Sequence, residues 1–436
     1  MQYPPLKIFH CVRSPSGGIL RHLEDLADQQ AAAGHEVGII CDHPAGGSYD
    51  EERLSHLQKH LALGLHRLPI GREPSPADIM CVLRTRVILS RSQAQVVHGH
   101  GAKGGMLARF GAAMWPRARP APLRIYSTHG GSLHFSQNTS QGKLYLQLER
   151  WQERHSDGLL FVCEQERRSY LEKIGPPACK NRVVHNGLRD EDFISVPCQQ
   201  AATDFLYIGE LRDLKGVDLL LHALKITSEK TGSPLTLTIV GDGPDKEKYL
   251  TLCHRLELNG QVNFTGHLPI KRALTHGRIA VVPSRQEAFP YIVLEMLAAG
   301  KPLLATDSGG IREIFSSTPY TLMEPYSLPS LAVSMEKALQ PGYFSPHQIA
   351  KLTSLVKNRF SARHMAQQIT EFYGVCFENI KVRNTSPQNI KNPQCLEPSA
   401  TPIDNKSLSR TIDDQSSTIF SKFLNSTRNQ RQHQSK

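Results

Sequence analysis

Two glutamates eight residues apart form the most specific chemical pattern in the sequence. The segment 283–295, PSRQEAFPYIVLE, follows an apolar run and places Glu287 before Pro290 and Glu295 inside a predicted helix. Eight residues at about 1.5 Å per residue separate the two carboxylates by roughly 12 Å, close to the span from the sugar to the ribose of a sugar nucleotide. Each carboxylate could therefore accept hydrogen bonds from hydroxyl groups at one end of such a ligand. The same spacing also fits a surface glutamate and a helix glutamate that share no role.

The helix that would contain Glu295 begins in a way that favours a bound anion. Pro290 suits the first helical position, because the N–H group that it lacks would have no partner there. The free N–H groups and the positive dipole end of a helix N-terminus stabilise phosphates. A diphosphate could thus lie between the two carboxylates.

These side chains require a framework of alternating strands and helices, and the apolar pattern predicts two such frameworks in succession. The first opens with a strand at 7–12, a helix at 19–31 and a strand at 37–41, and a polar linker at 190–204 precedes the second. Further strands are predicted at 96–98, 124–127, 158–163, 205–208, 235–240, 262–264, 279–282 and 302–306. The predicted fold class is α/β, with two facing Rossmann-like domains. Because parallel sheets bind ligands beyond the carboxyl ends of their strands, we expect an interdomain cleft.

Composition divides the 436 residues into domains at 1–190 and 200–360, a terminal helix at 361–380 that could return to the N-terminal domain, and a disordered tail at 381–436. The tail is rich in polar residues and proline and has no apolar periodicity. Its nine basic and four acidic residues supply +5 of the net charge of +11. The charge therefore argues against nucleic-acid binding by the folded part. A basic surface could still favour anionic lipids or phosphate-bearing substrates, and a merely solvated surface is the other interpretation.

The cysteines and the apolar segments predict a cytoplasmic protein. Nine scattered cysteines without a CxxC pair are typical of reduced thiols rather than disulfides or a zinc site. The N-terminus has no signal-peptide pattern, and no stretch reaches the roughly 18 apolar residues of a membrane span. Any membrane contact would be peripheral, at the inner face. Residues 114–120, with Arg109 and Arg124 nearby, could provide it, and a solvated helix end is the other interpretation.

The segment 283–295 resembles the E-x7-E signature of retaining glycosyltransferases of family 4, which have the GT-B fold. The resemblance covers about residues 6–378, and many motifs in the family's order make it specific. The other matching motifs are the glycine pair at 17–18, an interdomain motif at 183–187, a phosphate-binding loop at 209–218, nucleotide-binding turns at 240–244 and 264–268, and the segments 300–302 and 305–313.

The resemblance implies that the C-terminal domain binds a nucleoside diphosphate sugar. Glu287 would bind hydroxyl groups of the donor sugar, and Glu295 would bind the ribose. Backbone N–H groups at Ala288 and Phe289 would line the sugar and the diphosphate, as would that of Tyr291.

The resemblance also assigns two cations to the diphosphate, Arg212 and Lys215. The diphosphate gains charge as the glycosidic bond breaks, so fixed cations beside it would lower the barrier. Neither a metal ion nor a cofactor would then be required. The turns that contain Gly241 and His267 would contact the nucleotide.

The N-terminal domain would face the acceptor. His129 follows a predicted strand and would contact the donor sugar near the reacting carbon, whereas His100 follows another strand and could contact the acceptor. Gly17 and Gly18 would let the backbone approach the diphosphate closely. The other interpretation of these residues is structural: packed histidines and a tight turn.

Three departures from the family pattern affect these assignments. Gly209-Glu210-Leu211 stands where the family often has Gly-Arg-Leu, which moves the diphosphate arginine to Arg212. Ala288 replaces a frequent glycine and would narrow the sugar pocket. His185 replaces the proline of the interdomain motif and would affect only the hinge.

The predicted function is metal-independent, retaining transfer of a hexose from a UDP-, GDP- or ADP-sugar to a carbohydrate or lipid-linked glycan, in the synthesis of a cell-envelope polysaccharide such as lipopolysaccharide. Two other functions share the architecture. A non-hydrolysing sugar-nucleotide epimerase would need its own acid/base carboxylates in the first domain. A non-catalytic binding subunit would not need Glu287, Glu295, Lys215 and His129 together.

Overall fold

Two parallel sheets covered by helices form the protein. The computed structural model describes residues 4–44, 47–113, 121–316 and 320–385. The strands are β1 (Lys7–Val12), β2 (Glu36–Cys41), β3 (Leu65–Arg67), β4 (Val96–His100), β5 (Leu123–Ser127), β6 (Gly158–Phe161), β7 (Lys180–Val183), β8 (Thr203–Ile208), β9 (Leu237–Val240), β10 (Val262–Gly266), β11 (Gly277–Val282) and β12 (Leu303–Ala305). The α-helices are α1 (Gly17–Ala32), α2 (Gly47–Gln58), α3 (Ala77–Ser92), α4 (Gly101–Ala113), α5 (Ser140–Glu153), α6 (Glu164–Lys173), α7 (Val217–Thr231), α8 (Lys246–Arg255), α9 (Ile270–Ala273), α10 (Tyr291–Ala298), α11 (Ile311–Ile314), α12 (Leu328–Ala338), α13 (Pro346–Arg359) and α14 (Ala362–Thr385).

The first sheet has seven strands in the order β3-β2-β1-β4-β5-β6-β7. Its central strands β1 and β4 are buried on both faces, as expected for a parallel sheet covered by helices on both sides, although they contain three histidines. β1 and β4 are neighbours in the sheet but not in the sequence, and their register pairs Val12 with His100 at the carboxyl ends. The strand order reverses at this point, which is where doubly wound sheets bind ligands.

The second sheet has five strands in the order β10-β9-β8-β11-β12. Here the strand order reverses between β8 and β11, whose register pairs Phe205 with Ile279. Phe205 and Ile279 belong to a core shared with α7 and α12. The loops that follow β8 and β11 contain Lys215 and Glu287.

The chain crosses between the two domains at two adjacent positions. The N–H of Leu188 donates to the carbonyl of Phe360, and the N–H of Ala362 donates to the carbonyl of Leu188, both at 2.8 Å. After the second crossing, α14 packs against the first sheet and contributes Met365, Ile369, Phe372, Tyr373 and Cys376 to its core. The terminal helix therefore belongs to the N-terminal domain.

The α/β fold class with two Rossmann-like sheets is confirmed, and the terminal helix overlaps the first residues of the predicted tail. α14 continues to Thr385, five residues into the predicted tail. No proline interrupts the helix before Pro387, and a proline disfavours helical backbone in the residue before it. Residues 386–436 lie outside the described residues.

Candidate active site

Loops that follow strands of the two sheets contact one another across the domain boundary. Gln286, after β11, hydrogen-bonds His134, after β5, at 3.1 Å. Arg21 of α1 lies 3.7 Å from Glu295 of α10. The two switch points therefore open into the same interdomain region, which contains the predicted site residues.

Glu287 is held at the switch point of the second sheet. Its side chain is only 8% exposed. Its Oε1 accepts hydrogen bonds from Ser284 Oγ and Lys215 Nζ, both at 2.7 Å. Lys215 lies just before α7, so this ion pair joins the loops that follow β8 and β11. Oε2 of Glu287 has no hydrogen-bond partner in the part of the chain that the structure describes.

The backbone after Glu287 presents a row of unused donors. The N–H groups of Glu287, Ala288 and Phe289 meet no acceptor within the described residues. Their carbonyls face the other way: Ala288 O accepts from the N–H of Gly310 at 2.7 Å. Gly309 has φ +57°, and a Cβ there would overlap the carbonyl of Glu287, so only glycine allows this close approach. The loop thus places three free N–H groups just before α10, an arrangement that can bind an anion.

Pro290 precedes the helix rather than starting it, and α10 begins at Tyr291. The Phe289 side chain is buried in the domain boundary, where its ring lies 4.8 Å from His185 and 5.4 Å from Phe360. The carbonyl of Phe289 accepts from Asn186 Nδ2 at 2.7 Å. Of the groups of Phe289, only the N–H is therefore free to bind a donor sugar nucleotide.

His129 lies in a constrained loop at the carboxyl end of β5. Its φ is +46°, an uncommon conformation for a residue other than glycine. The buried carboxylate of Glu166 accepts from the N–H of Gly130, and also from the N–H of Val162 at 2.8 Å. Burial lowers the pKa of His129 to about 4, so its imidazole is neutral near pH 7.

His129 is one end of a cluster of five histidines. His100 Nδ1 lies 3.0 Å from His129 Nε2, and His100 Nε2 lies 3.0 Å from His10 Nδ1. The rings of His98 and His22 pack against this line. The nitrogens of two overlapping sets lie within 4.8 Å of one another, a spacing that a metal ion could also use: His10, His98 and His100, and His22, His100 and His129. His100 is only 1% exposed, so the structure gives it no surface for an acceptor.

Glu295 projects from α10 towards α1. It lines a small cavity with Ile270 and Leu274. Burial raises its pKa to about 7, and the nearby Arg21 opposes that shift. The carboxylate is thus poised between its neutral and ionised forms near physiological pH.

Arg212 pairs with a different acid from Lys215. Its guanidinium lies 3.8 Å from Glu210, on a side chain that is one-third exposed. It also faces Arg13, which follows β1: burial lowers the pKa of Arg13, and Arg72 and Arg212 lower it further. Positive charge from both domains therefore converges at this part of the boundary.

The predicted glycines contribute backbone geometry. Gly241 has φ +136°, and a Cβ there would overlap the carbonyl of Gly209, so the turns after β9 and β8 approach closely only with glycine at this position. A Cβ at Gly18 would lie 3.9 Å from Tyr291 Cδ2, so α1 and α10 begin side by side. The N–H of Gly17 donates to Asp50 Oδ2 at 3.3 Å, and a diphosphate would have to displace that carboxylate.

His267 lies after β10 and contacts α2 across the boundary. Its ring is stacked on that of Tyr49, with an interplanar angle of 10° and a centroid distance of 6.2 Å. The aromatic pair places a flat surface near the turn that the resemblance assigned to the nucleotide.

Sequence reasoning missed several residues that hold the site. Ser284 lies within the glutamate segment, and Glu166 is the acid that fixes the His129 loop. His10 could have been recognised from the sequence, because it is a polar residue in the middle of an apolar strand. Such residues usually have a hydrogen-bond partner inside the protein.

The proposed membrane segment 114–120 lies outside the described residues. Arg109 is fully buried in an ion pair with Glu149 at 2.8 Å, and Arg124 pairs with Asp157 at 2.9 Å. Including Arg109 in a basic membrane surface was therefore wrong, because the guanidinium is inaccessible. Within the described residues, no helix has the length and apolar content needed to span a bilayer.

Comparisons with known proteins match both domains. Residues 17–187 match the Glycosyl transferase 4-like domain, and residues 189–351 match the family Glycosyl transferases group 1. The chain is 26% identical over 361 residues to a glycogen synthase of Mycobacterium tuberculosis, covering 78% of this chain and 84% of the relative. It is 30% identical over 239 residues to the lipopolysaccharide 1,2-N-acetylglucosaminetransferase of Salmonella typhimurium, covering 50% of this chain and 62% of that protein.

A solved structure shows the same fold. Anabaena HepE in complex with UDP and glucose superposes with a TM-score of 0.69 at 18% identity, covering 85% of this chain and all of that one. The two family matches meet at residue 188, where the chain first crosses between the domains. This chain is therefore a glycosyltransferase that belongs to the group 1 family and has the GT-B fold.

Proposed function

We propose that this protein transfers a hexose from a nucleoside diphosphate sugar to a glycan acceptor with retention of the anomeric configuration and without a metal ion. The observation that carries the proposal is the arrangement around Glu287. The buried carboxylate of Glu287 has one free oxygen and is followed by unused backbone N–H donors at residues 287–289, and the ammonium group of Lys215 reaches it from another loop. This set matches a sugar with hydroxyl groups linked to a diphosphate.

In the proposed reaction, the bond between the anomeric carbon and the phosphate oxygen breaks, and its electron pair goes to the diphosphate. The acceptor hydroxyl attacks from the face that the phosphate leaves, and its proton passes to the departing phosphate oxygen. Lys215 and the N–H groups before α10 stabilise the developing charge. Glu287 and His129 position the sugar, Arg212 adds longer-range positive charge, and no protein nucleophile is involved.

The names of similar proteins suggest the ligands. HepE was solved with UDP and glucose, which favours a UDP-hexose as the first donor to test. One relative is named for lipopolysaccharide and another for glycogen, so the proposed acceptor is a saccharide, free or lipid-linked. The free thiols of the described cysteines agree with action in a reducing compartment.

The proposed function is tested by measuring nucleotide release by the full chain from UDP-, GDP- and ADP-hexoses. NMR of the anomeric proton then identifies the configuration of the sugar product. We expect slow release from one donor and, when a saccharide acceptor is present to take the hexose, retention of the anomeric configuration of that donor in the glycoside formed. Conversion of the donor to its epimer without nucleotide release would instead identify an epimerase. Absence of binding to every donor by calorimetry, with the protein folded, would identify a non-catalytic subunit.

The pKa of Glu295 predicts a pH-dependent donor affinity. A ribose that donates its hydroxyl hydrogens prefers the ionised carboxylate, which forms as the pH rises through about 7. Affinity for UDP should therefore increase roughly tenfold from pH 6 to pH 8 through this group. Calorimetry on Glu295→Gln beside wild type isolates the effect, because the phosphate of UDP titrates identically in both. Parallel pH profiles for the two proteins would exclude Glu295 as the ribose ligand.

A further inference from the structure

A continuous line of hydrogen bonds runs from α14 and α1 through the core of the first domain to His129. Gln30 Nε2 donates to Tyr373 OH at 3.4 Å, and Gln30 Oε1 lies 2.8 Å from His10 Nε2. His10 and His100 are then joined at 3.0 Å, and so are His100 and His129. All the members before His129 are buried, so water does not interrupt the line.

The orientation of Gln30 determines which nitrogen of each histidine carries the proton. Its Oε1 can only accept, so His10 must donate from Nε2 and accept at Nδ1. His100 must then donate from Nε2 to His10 and accept at Nδ1. That acceptor receives the N–H of His129 Nε2.

The last nitrogen of the line is His129 Nδ1, and the described residues offer it no hydrogen-bond partner. His129 is the only half-buried member of the line, at the carboxyl edge of the first sheet. Burial lowers the pKa values of His10 and His100 as well as that of His129, so all three rings are neutral and each carries one ring proton. Nδ1 therefore carries a lone pair that no described residue uses, at the partly exposed end of the line.

We propose that Gln30 is a positioning residue that fixes His129 in the Nε2–H tautomer, so that the cleft receives a hydrogen-bond acceptor selective for a sugar hydroxyl. This inference rests on the proposed function only for the identity of the ligand. Such a nitrogen accepts from a hydroxyl and repels a carboxylate, so the site favours a neutral hexose over a uronic acid at this position. The three hydrogen bonds between Gln30 and His129 explain why His10 and His100 occupy buried positions in β1 and β4.

The same contacts argue against a resident metal ion. Both ring nitrogens of His10 and both of His100 already have hydrogen-bond partners at 3.0 Å or less. A metal in either histidine set would have to replace these bonds. His22 does not alter this, since its Nδ1 bonds Asn186 Oδ1 at 3.1 Å and only its Nε2 is without a partner.

The test is NMR of the full chain labelled with ¹⁵N in histidine, with His129→Gln used to assign the ring signals of His129. We expect the Nε2–H tautomer in wild type, a mixture of tautomers in Gln30→Leu, and the wild-type tautomer in Gln30→Glu, which keeps an acceptor beside His10. Ser127→Ala is the matched control: it removes the partner of His98 but leaves the line intact, so the His129 signals should not change. The rate of nucleotide release should fall at least about tenfold in Gln30→Leu, as when the group that orients a catalytic histidine is lost.

The outcomes separate this inference from the proposed function. An Nδ1–H tautomer in wild type, an unchanged His129 tautomer in Gln30→Leu, or a stoichiometric transition metal in the purified protein would overturn the inference. If the tautomers respond as expected but no donor is bound or cleaved, the role of Gln30 is supported and the proposed transferase function fails.

Discussion

Lys215→Ala is expected to lower the rate of nucleoside diphosphate release by about 10² to 10³, the usual cost of removing one preorganised group that stabilises a developing anion. The ammonium group lies 2.7 Å from Glu287 and beside the unused N–H donors. Its loss removes positive charge where the leaving group forms. The measurement is the initial rate at saturating donor, so a change in affinity does not mask the effect.

Three companion variants show whether Lys215 acts through the site. Lys230→Ala breaks an exposed ion pair with Glu336 and should leave the rate unchanged. Glu287→Gln keeps the shape of the side chain but loses the charge, and should also be severely impaired. If the two groups act as a unit, the double variant loses much less than the product of the single effects. A Lys215→Ala enzyme that keeps more than a tenth of the wild-type rate contradicts the assignment.

The second sheet and its site were the most predictable parts of the protein. Its two central strands contain the apolar runs 205–208 and 279–282, and the loop from Pro283 to Pro290 contains the signals of a strand-to-helix turn. Because these signals are local, the sequence located Glu287 correctly beside the helix start. It did not indicate that Lys215 contacts Glu287 directly, because that contact joins residues 72 positions apart.

The hydrogen-bonded line from Gln30 to His129 could not be predicted either, because it depends on contacts between residues far apart in the sequence. Gln30 contacts Tyr373 343 positions away, and His10 contacts His100 across the β1–β4 pair. No periodicity in the sequence reports such a pairing, since it depends on which strands are neighbours in the sheet. Short strands with few apolar residues, such as β3, were missed because propensity is weak over three residues.

Arg109→Met should lower the free energy of unfolding by about 3–5 kcal/mol, the typical cost of removing one partner of a buried ion pair. Arg109 and Glu149 are 0% and 3% exposed, and their side chains meet at 2.8 Å. Methionine removes the charge and leaves the Glu149 carboxylate buried without its cation. The change is measured as the shift in the midpoint of urea unfolding, multiplied by the slope of the transition.

A second substitution distinguishes an uncompensated charge from a packing defect. Arg109→Met with Glu149→Gln should recover at least half of the lost stability, because glutamine still accepts from Tyr126 OH and Ser132 Oγ without a buried charge. Lys230→Met, at the exposed pair with Glu336, should cost about 1 kcal/mol or less. If the double variant is no more stable than Arg109→Met, lost packing of the arginine over Tyr126 is the cause instead.

The ion pair of Arg109 and Glu149 also helps to hold the loop that begins at His129. Glu149 accepts from Ser132 at 3.0 Å, and Glu166 accepts from the N–H of Gly130, so two buried carboxylates hold the loop that begins at His129. Arg109 in turn orients Glu149. Arg109→Met should therefore slow nucleotide release even under conditions where the protein remains folded, whereas Lys230→Met should not. A folded Arg109→Met enzyme with the wild-type rate would show that Glu166 alone is sufficient to position His129.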